Sequence, residues 1–485
     1  MTRRPITRLE LAGYLLSPSL FVMVVLMVVE AMLAAATTWL VINAGRRVAV
    51  GEFLVTDLVW ILTAQSTSYV VGVISWIFAE RAGYRGFGKF MLRFARENRD
   101  KVTLLSEKPA REQVEPFLTG ETFQCFFNVM YELEFALKLF LGLVFNALVL
   151  GAEIDPSLPF AYVGAFGTLL LMQWGLQKPI ASAYLENQRM NNRITAQGYT
   201  AWDNVFAGNS YNLRLWLFGF KTKLREGLVA QIRAIVAREG MSAMSGIVSL
   251  AIVFATITMV ALRHVGDTVL LVGLATTLPR QIEMTYELHL LASGWNDFIA
   301  IWTRFGGVAA NMSPQPDADF DKRIKYDRLV LREGDHANVV SSLGDALRVA
   351  LAQPTGRINV RGGNGTGKSS LLASLKTELK KRAYYWPTTD RLAFHFAGGV
   401  VPVDVEEDEE GEPIVVAETM DKKLGFSSGE RQLKSLEEIV NATDAQVYLL
   451  DEWDANLDAA NKAKADALVD ELAARARVVE ISHRD

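Results

Sequence analysis

Apolar runs long enough to cross a bilayer recur through the first part of the chain, separated by polar stretches of unequal length. A span needs about 20 mostly apolar residues. Residues 11–43 form the first run, with Glu30 as its one charge, and residues 55–79 form the second, with Asp57 alone at its outer edge. Residues 123–152 make a third, which carries Glu132, Glu134 and Lys138. Residues 159–177 and 243–262 contain no charge, and residues 268–298 form the most polar run, interrupted by Pro279. This pattern predicts six transmembrane helices within residues 1–310. Inside them, Arg280, Glu283 and Glu287 fall on one helical face, and Glu134 and Lys138 stand at i and i+4. Both groups are expected to pair or to line a wet cavity, because an unpaired charge in lipid is costly.

The polar stretches between the runs alternate in charge. Arg3, Arg4 and Arg8 open the chain, and the connections at 80–122 and 178–242 are rich in Lys and Arg. The other connections are short and hold Arg46 and Arg47, no basic residue in 153–158, and Arg263. Basic residues stay on the cytoplasmic side, so both termini are expected in the cytoplasm, most simply at a bacterial inner membrane. The first run is too long for a signal-peptide core and is expected to stay as an uncleaved span. The two basic connections look helical, as extensions of the spans, each broken once: from Lys108-Pro109 to Gly120, and at Gly208-Asn209. Residues 311–323, with Pro314, Pro316 and several Asp, read as a linker into a soluble domain at 324–485.

Composition narrows the classes. Half of the residues are hydrophobic and 21% are charged, and mean hydropathy is +0.17, which excludes a disordered or fibrous chain. The net charge of −4 divides into +4 before residue 306 and −8 after it, so no basic, soluble half is offered to nucleic acid. The single cysteine, Cys125, cannot form an internal disulfide, and five scattered histidines argue against a multi-histidine metal centre.

The C-terminal part carries candidate chemistry. Arg357-Ile358-Asn359-Val360 reads as a strand, followed by Gly362-Gly363-Asn364-Gly365-Thr366-Gly367-Lys368-Ser369, and Ser370-Leu371-Leu372 opens a helix. This is a phosphate loop in its required strand–loop–helix setting. Glycines turn successive backbone N–H groups toward phosphates, Lys368 reaches the β- and γ-phosphates, and Ser369 offers a hydroxyl to Mg²⁺. Val447-Tyr448-Leu449-Leu450-Asp451-Glu452 reads as a buried strand ending in two acids. Asp451 is expected to hold Mg²⁺ and Glu452 to polarise the attacking water.

These residues resemble the ATP-binding cassette family. Phe426-Ser427-Ser428-Gly429-Glu430-Arg431-Gln432 is similar to its signature sequence, Asp454-Ala455-Asn456-Leu457-Asp458 to its D-loop, and Val478-Val479-Glu480-Ile481-Ser482-His483 to the strand presenting its switch histidine. With the preceding spans, the likeness extends to exporter-type half-transporters, a six-helix membrane domain followed by an α/β P-loop NTPase domain. The resemblance implies two ATP molecules with Mg²⁺ buried in a head-to-tail homodimer, or in a pair with a related chain. Ser427, Ser428, Gly429 and Asp458 would then act on the nucleotide held by Lys368 of the other subunit. His483 would contact that γ-phosphate from the Lys368 side, and the cytoplasmic helices would dock near 110–121 and 199–216. It implies ATP-driven export of a peptide or amphiphile, against the alternatives of peptide uptake or an ATP-gated membrane sensor or scaffold.

Three departures stand out. No glutamine occurs from Gly362 through Arg431, and Thr388, after Tyr385-Trp386-Pro387, is the nearest stand-in as a Mg²⁺ neighbour. The interval from Lys368 to Ser427 is short, and residues 404–412 form an acidic run read as a solvated loop tip. For the aromatic that stacks on adenine, His336 is better placed than Tyr326 in the sequence. These departures predict a slow ATPase.

Overall fold

The computed structural model describes residues 6–52, 54–388, 392–397, 427–455 and 457–482. Helices dominate as far as Asn311: α1 (Arg8–Ala12), α2 (Pro18–Ala49), α3 (Val55–Asn98), α4 (Lys108–Pro116), α5 (Thr122–Glu153), α6 (Ser157–Tyr199), α7 (Ala201–Phe206), α8 (Ser210–Arg263) and α9 (Thr268–Asn311). Local chemistry sets their starts. Ser17 caps α2 by accepting the Leu20 N–H, and Pro18 occupies the first helical position, where its missing N–H costs nothing. The long helices outrun any hydrocarbon layer: the 54 residues of α8 reach about 80 Å at 1.5 Å per residue. They are continuous extensions, as the sequence predicts.

Among the described residues, four helices are long and apolar enough to cross a membrane: Pro18–Ala49, Val55–Asn98, Thr122–Glu153 and Ala243–Arg263 within α8. Of the two other expected spans, the one in α6 is represented among the described residues by the apolar stretch Ser157–Met172, and α9 holds Pro279 together with Arg280, Glu283 and Glu287.

The chain divides into two compact units, one of residues 15–86 and 124–305 and the other of 1–14, 87–123 and 306–485. The first is helical, and Ile42, Leu150, Leu158, Leu169, Val253 and Met284 join five of its helices in one core. Among the described residues, Arg280 and Lys138 are paired. Arg280 Nη1 lies 2.8 Å from Glu283 and 2.9 Å from Glu287, the one-face cluster expected. Lys138 corrects its expected pairing with Glu134: its Nζ sits 2.5 Å from Glu30 on α2. Gly72 of α3 makes room for that carboxylate, since a Cβ there would lie 2.8 Å from Glu30 Oε1.

Among the described residues, the second unit holds a mixed sheet of six strands: β1 (Val330–Glu333), β2 (His336–Val339), β3 (Gly356–Arg361), β4 (Ala383–Trp386), β5 (Val447–Asp451) and β6 (Arg477–Ile481). The strand order is β2-β1-β3-β6-β5-β4, antiparallel at β2-β1-β3 and parallel from β3 to β4. Helices α10 (Leu343–Ala350), α11 (Lys368–Leu379), α12 (Ser428–Ala442) and α13 (Ala459–Arg475) accompany it. Strands β5 and β6 are buried at every position, which is why apolar residues stand side by side at Val447–Leu450 and Val478–Val479 rather than alternating with polar ones. Their side chains still alternate between two cores. Val447, Leu449 and Val479 pack with Leu371 and Leu375, while Tyr448, Leu450 and Val478 pack with Leu436, Trp453 and Val469.

A buried guanidinium is threaded through this sheet. Arg477, 1% exposed, donates from Nη1 and Nη2 to the Glu333 carboxylate at 2.5 and 2.7 Å and to the Thr355 carbonyl at 2.8 Å. Its guanidinium passes over Gly356, where a Cβ would lie 2.7 Å from Nη1 and φ is +109°. Only glycine satisfies both demands at once.

The connection at 87–123 folds with this sheet unit. A 3₁₀ turn, Val102–Ser106, packs on α11, and a π-helical turn, Phe117–Glu121, follows α4. The break expected there is therefore real. Lys101 Nζ donates to Ser313 Oγ and the Pro314 carbonyl, both at 2.7 Å, and Glu107 accepts the Asp317 N–H at 3.0 Å. The Pro/Asp stretch at 311–323 is thus fastened along its length.

Candidate functional site

The glycine loop joins the end of β3 to the start of α11. Gly365 and Gly367 adopt φ of +74° and +89°, the left-handed region open to glycine. Gly362 and Gly367 also meet backbone at close range, where a Cβ would lie 2.9 Å from the Arg328 carbonyl and 2.5 Å from that of Arg323. The loop is folded against residues 323–328, and the Lys325 N–H bonds the Thr366 carbonyl at 3.0 Å. Its open side is at Gly363 and Gly365, whose Cβ positions meet little or nothing. Asn364 stands between them, and the first turn of α11, with Lys368, Ser369 and Ser370, follows. Free N–H groups at a helix start favour an anion. Lys368 Nζ curls over the loop to the Gly362 carbonyl at 2.8 Å.

Strand β5 brings Asp451 to the same place. Ser369 Oγ donates to Asp451 Oδ1 at 3.0 Å, joining the two residues singled out for Mg²⁺. Asp451 is 6% exposed, and that burial, helped by neighbouring Glu452, pushes its carboxyl up to about 6 against the opposing Ser369 bond. Thr388 is also there: its hydroxyl donates to the Asp451 carbonyl at 3.3 Å. Burial likewise pushes the Tyr385 phenol upward, beside Asp451.

Glu452 leaves the strand with φ of +48°, an unusual conformation for a residue with a Cβ. Its N–H bonds the Ile481 carbonyl at 3.0 Å. The next residue, Trp453, is 1% exposed and donates its indole N–H to Glu480 at 2.8 Å. Glu480, itself 2% exposed, is gripped by Arg357 of β3 through Nε at 3.1 Å and Nη2 at 2.9 Å. Arg357 further bonds Asp466 and Asp470 of α13, at 2.9 and 2.5 Å. In the sequence Arg357 and Glu480 stand only as members of their strands, and Trp453 belongs to no motif. The available signal was a charge within a buried strand, Glu480 of β6, which stands only if a partner is opposite.

Ser427, Ser428 and Gly429 open α12. Ser427 accepts the Glu430 N–H at 3.3 Å while Glu430 accepts the Ser427 N–H at 2.9 Å, a capping box. Those bonds hold the Glu430 carboxyl below its ordinary range. Asp458 is a cap as well, accepting the Asn461 N–H at 2.7 Å at the start of α13. Gln432, one turn into α12, ties this helix to the carbonyls of Glu452 and Trp453. Of the two rings weighed for stacking, His336 lies on the outermost strand β2. The segment beside Tyr326 is the one that touches the loop. Phe426, Asn456, His483 and the acidic run at 404–412 lie outside the described residues.

The structure therefore brings Gly362–Ser370, Thr388, Asp451 and Glu452 together at one end of the parallel strands, and sets Ser427–Gly429 and Asp458 at two helix starts. Glycine backbone, a lysine and hard oxygen donors fit a phosphate with a small divalent cation. The chain matches no protein-family model and no curated protein.

Proposed function

We propose that the chain is one half of an ATP-driven membrane transporter of the ATP-binding cassette type, working as a homodimer or with a related chain. The observation that carries this reading is the meeting of Lys368, Ser369 and Asp451 at the glycine loop, with Ser369 and Asp451 3.0 Å apart and Glu452 next in line. ATP supplies the transferable phosphoryl group, and Mg²⁺ screens its charge. Lys368 neutralises the phosphates, Ser369 and Asp451 hold the cation, Thr388 steadies the Asp451 backbone, and Glu452 orients water. Ser427, Ser428, Gly429 and Asp458 meet the nucleotide of the second subunit, and His483 the γ-phosphate of its own. The transport half of the reading is supported by four membrane-length apolar helices. Six spans are proposed from the apolar runs, cytoplasmic termini from the basic residues in the connections, and a bacterial inner membrane as the site. Export of a peptide or amphiphile is the proposed direction and cargo.

The test is ATP turnover by purified protein in lipid. Lys368→Ala should lower it roughly 10²–10³-fold, the size of a lost transition-state cation or donor. A variant as active as its parent sinks the reading. Uptake of cargo into sealed inverted vesicles then separates export from import or sensing.

The raised Asp451 carboxyl gives a pH signature. Protonated Asp451 cannot ligate a cation, so the Mg²⁺ concentration giving half-maximal turnover should be constant above about pH 7 and climb as pH falls through about 6. Titrating Mg²⁺ at several pH values checks this, and a flat dependence from pH 5 to 8 refutes it.

A further inference from the structure

Gln432 leaves α12 to reach the turn after β5. Its Nε2 donates to the Trp453 carbonyl at 2.6 Å and to the Glu452 carbonyl at 3.3 Å. Both acceptors belong to the turn where Glu452 takes φ of +48°. A residue with a Cβ stays in that conformation only when its surroundings fix it. Besides the Ala455 N–H, which bonds the Glu452 carbonyl at 3.2 Å within the turn, the fixing bonds come from two neighbouring elements. The Ile481 carbonyl holds the Glu452 N–H, and Glu480 holds the Trp453 indole; both belong to β6, a fully buried strand. The Gln432 amide comes instead from a helix whose first residues are exposed.

We infer that Gln432 is a positioning residue that makes the aim of Glu452 depend on the seating of α12, and so couples the two nucleotide sites of the dimer. The inference rests on the proposed function. In a head-to-tail pair, Ser427 and Gly429 of α12 close on the partner's nucleotide, whereas Glu452 acts on the nucleotide held by its own chain. Gln432 joins those two duties within a few residues of one chain. When α12 shifts, the amide carries the two carbonyls with it, and the strained turn beside them swings the Glu452 carboxylate. Both acceptors are carbonyls, so a donor is required, and an isosteric acceptor fails.

Three variants of the full chain in lipid test this. Gln432→Ala and Gln432→Glu remove the donor; Gln432→Lys keeps one at comparable reach. For the first two, kcat should fall about 10-fold, the worth of one neutral hydrogen bond, with KM for ATP within twofold of the parent. Their Hill coefficient for ATP should drop from above 1 toward 1. Gln432→Lys should recover most of both losses. The proposal is overturned if the donor-less variants keep parental kcat and cooperativity. It is equally overturned if all three variants melt earlier and lose kcat alike with cooperativity intact, the mark of a merely structural bond. A parental protein that binds and turns over no ATP fails at an earlier step, removing the reading on which the inference stands.

Discussion

Glu452→Gln is expected to lower ATP turnover about 10²–10⁴-fold, the usual worth of a positioned general base, while ATP binding persists. Lys368, Ser369 and Asp451 are untouched by the change, so the phosphate and cation contacts survive. The amide keeps the size of the carboxylate, and the turn's backbone bonds to Ile481 and Gln432 do not involve the side chain. Bound nucleotide should therefore accumulate and hold two chains together. Size-exclusion chromatography in detergent with Mg²⁺-ATP should show the dimer fraction rise, and a filter assay should show retained nucleotide. Turnover near the parental rate would remove Glu452 from the chemistry.

The largest expected effect on stability lies away from the loop. Glu333→Ala leaves the Arg477 guanidinium, 1% exposed, with the Thr355 carbonyl and no carboxylate. Removing one partner of a buried pair costs about 3–5 kcal/mol. In a domain of this size, that shifts Tm by roughly 6–20 °C downward. Arg477 holds the Glu333 carboxyl below its ordinary 4.5, so the pair's contribution is complete above that pH. It is lost as pH falls through the lowered value, because the unfolded chain takes up the proton first. The gap between parent and variant should therefore be full at pH 7 and close in acid. Thermal unfolding of the full chain in detergent, followed by tryptophan fluorescence, reads this directly. A variant melting within 2 °C of its parent at pH 7 would show that water reaches Arg477 and pairs it.

The parts legible in the sequence were those governed by local rules. The long helices, the breaks at Pro109 and Gly208, the glycine loop and the buried strand ending in Asp451 all follow from nearest-neighbour chemistry and periodicity. What escaped depends on partners distant in the chain. Lys138 was assigned to Glu134 because they share a helix face, yet Glu30 of another helix takes it. Glu480 was read as part of a motif, whereas its carboxylate binds Arg357 and Trp453. Ser427 and Asp458 were weighed only for what they offer a second subunit, and each also caps its own helix. Helix spacing fixes which residues share a face; it does not fix which neighbour that face meets.

The sheet unit is assembled from three separated stretches, 1–14, 87–123 and 306–485, and this bears on the order of synthesis. Translation at about 5–20 residues per second delivers the turn at Val102–Ser106 roughly 15–55 s before α11, the helix it packs on. Throughout that interval the turn has its neighbour α4 but lacks α11. A nascent chain halted before Lys368 never gains that partner, so a ribosome stall anywhere across the interval leaves the turn only partly packed.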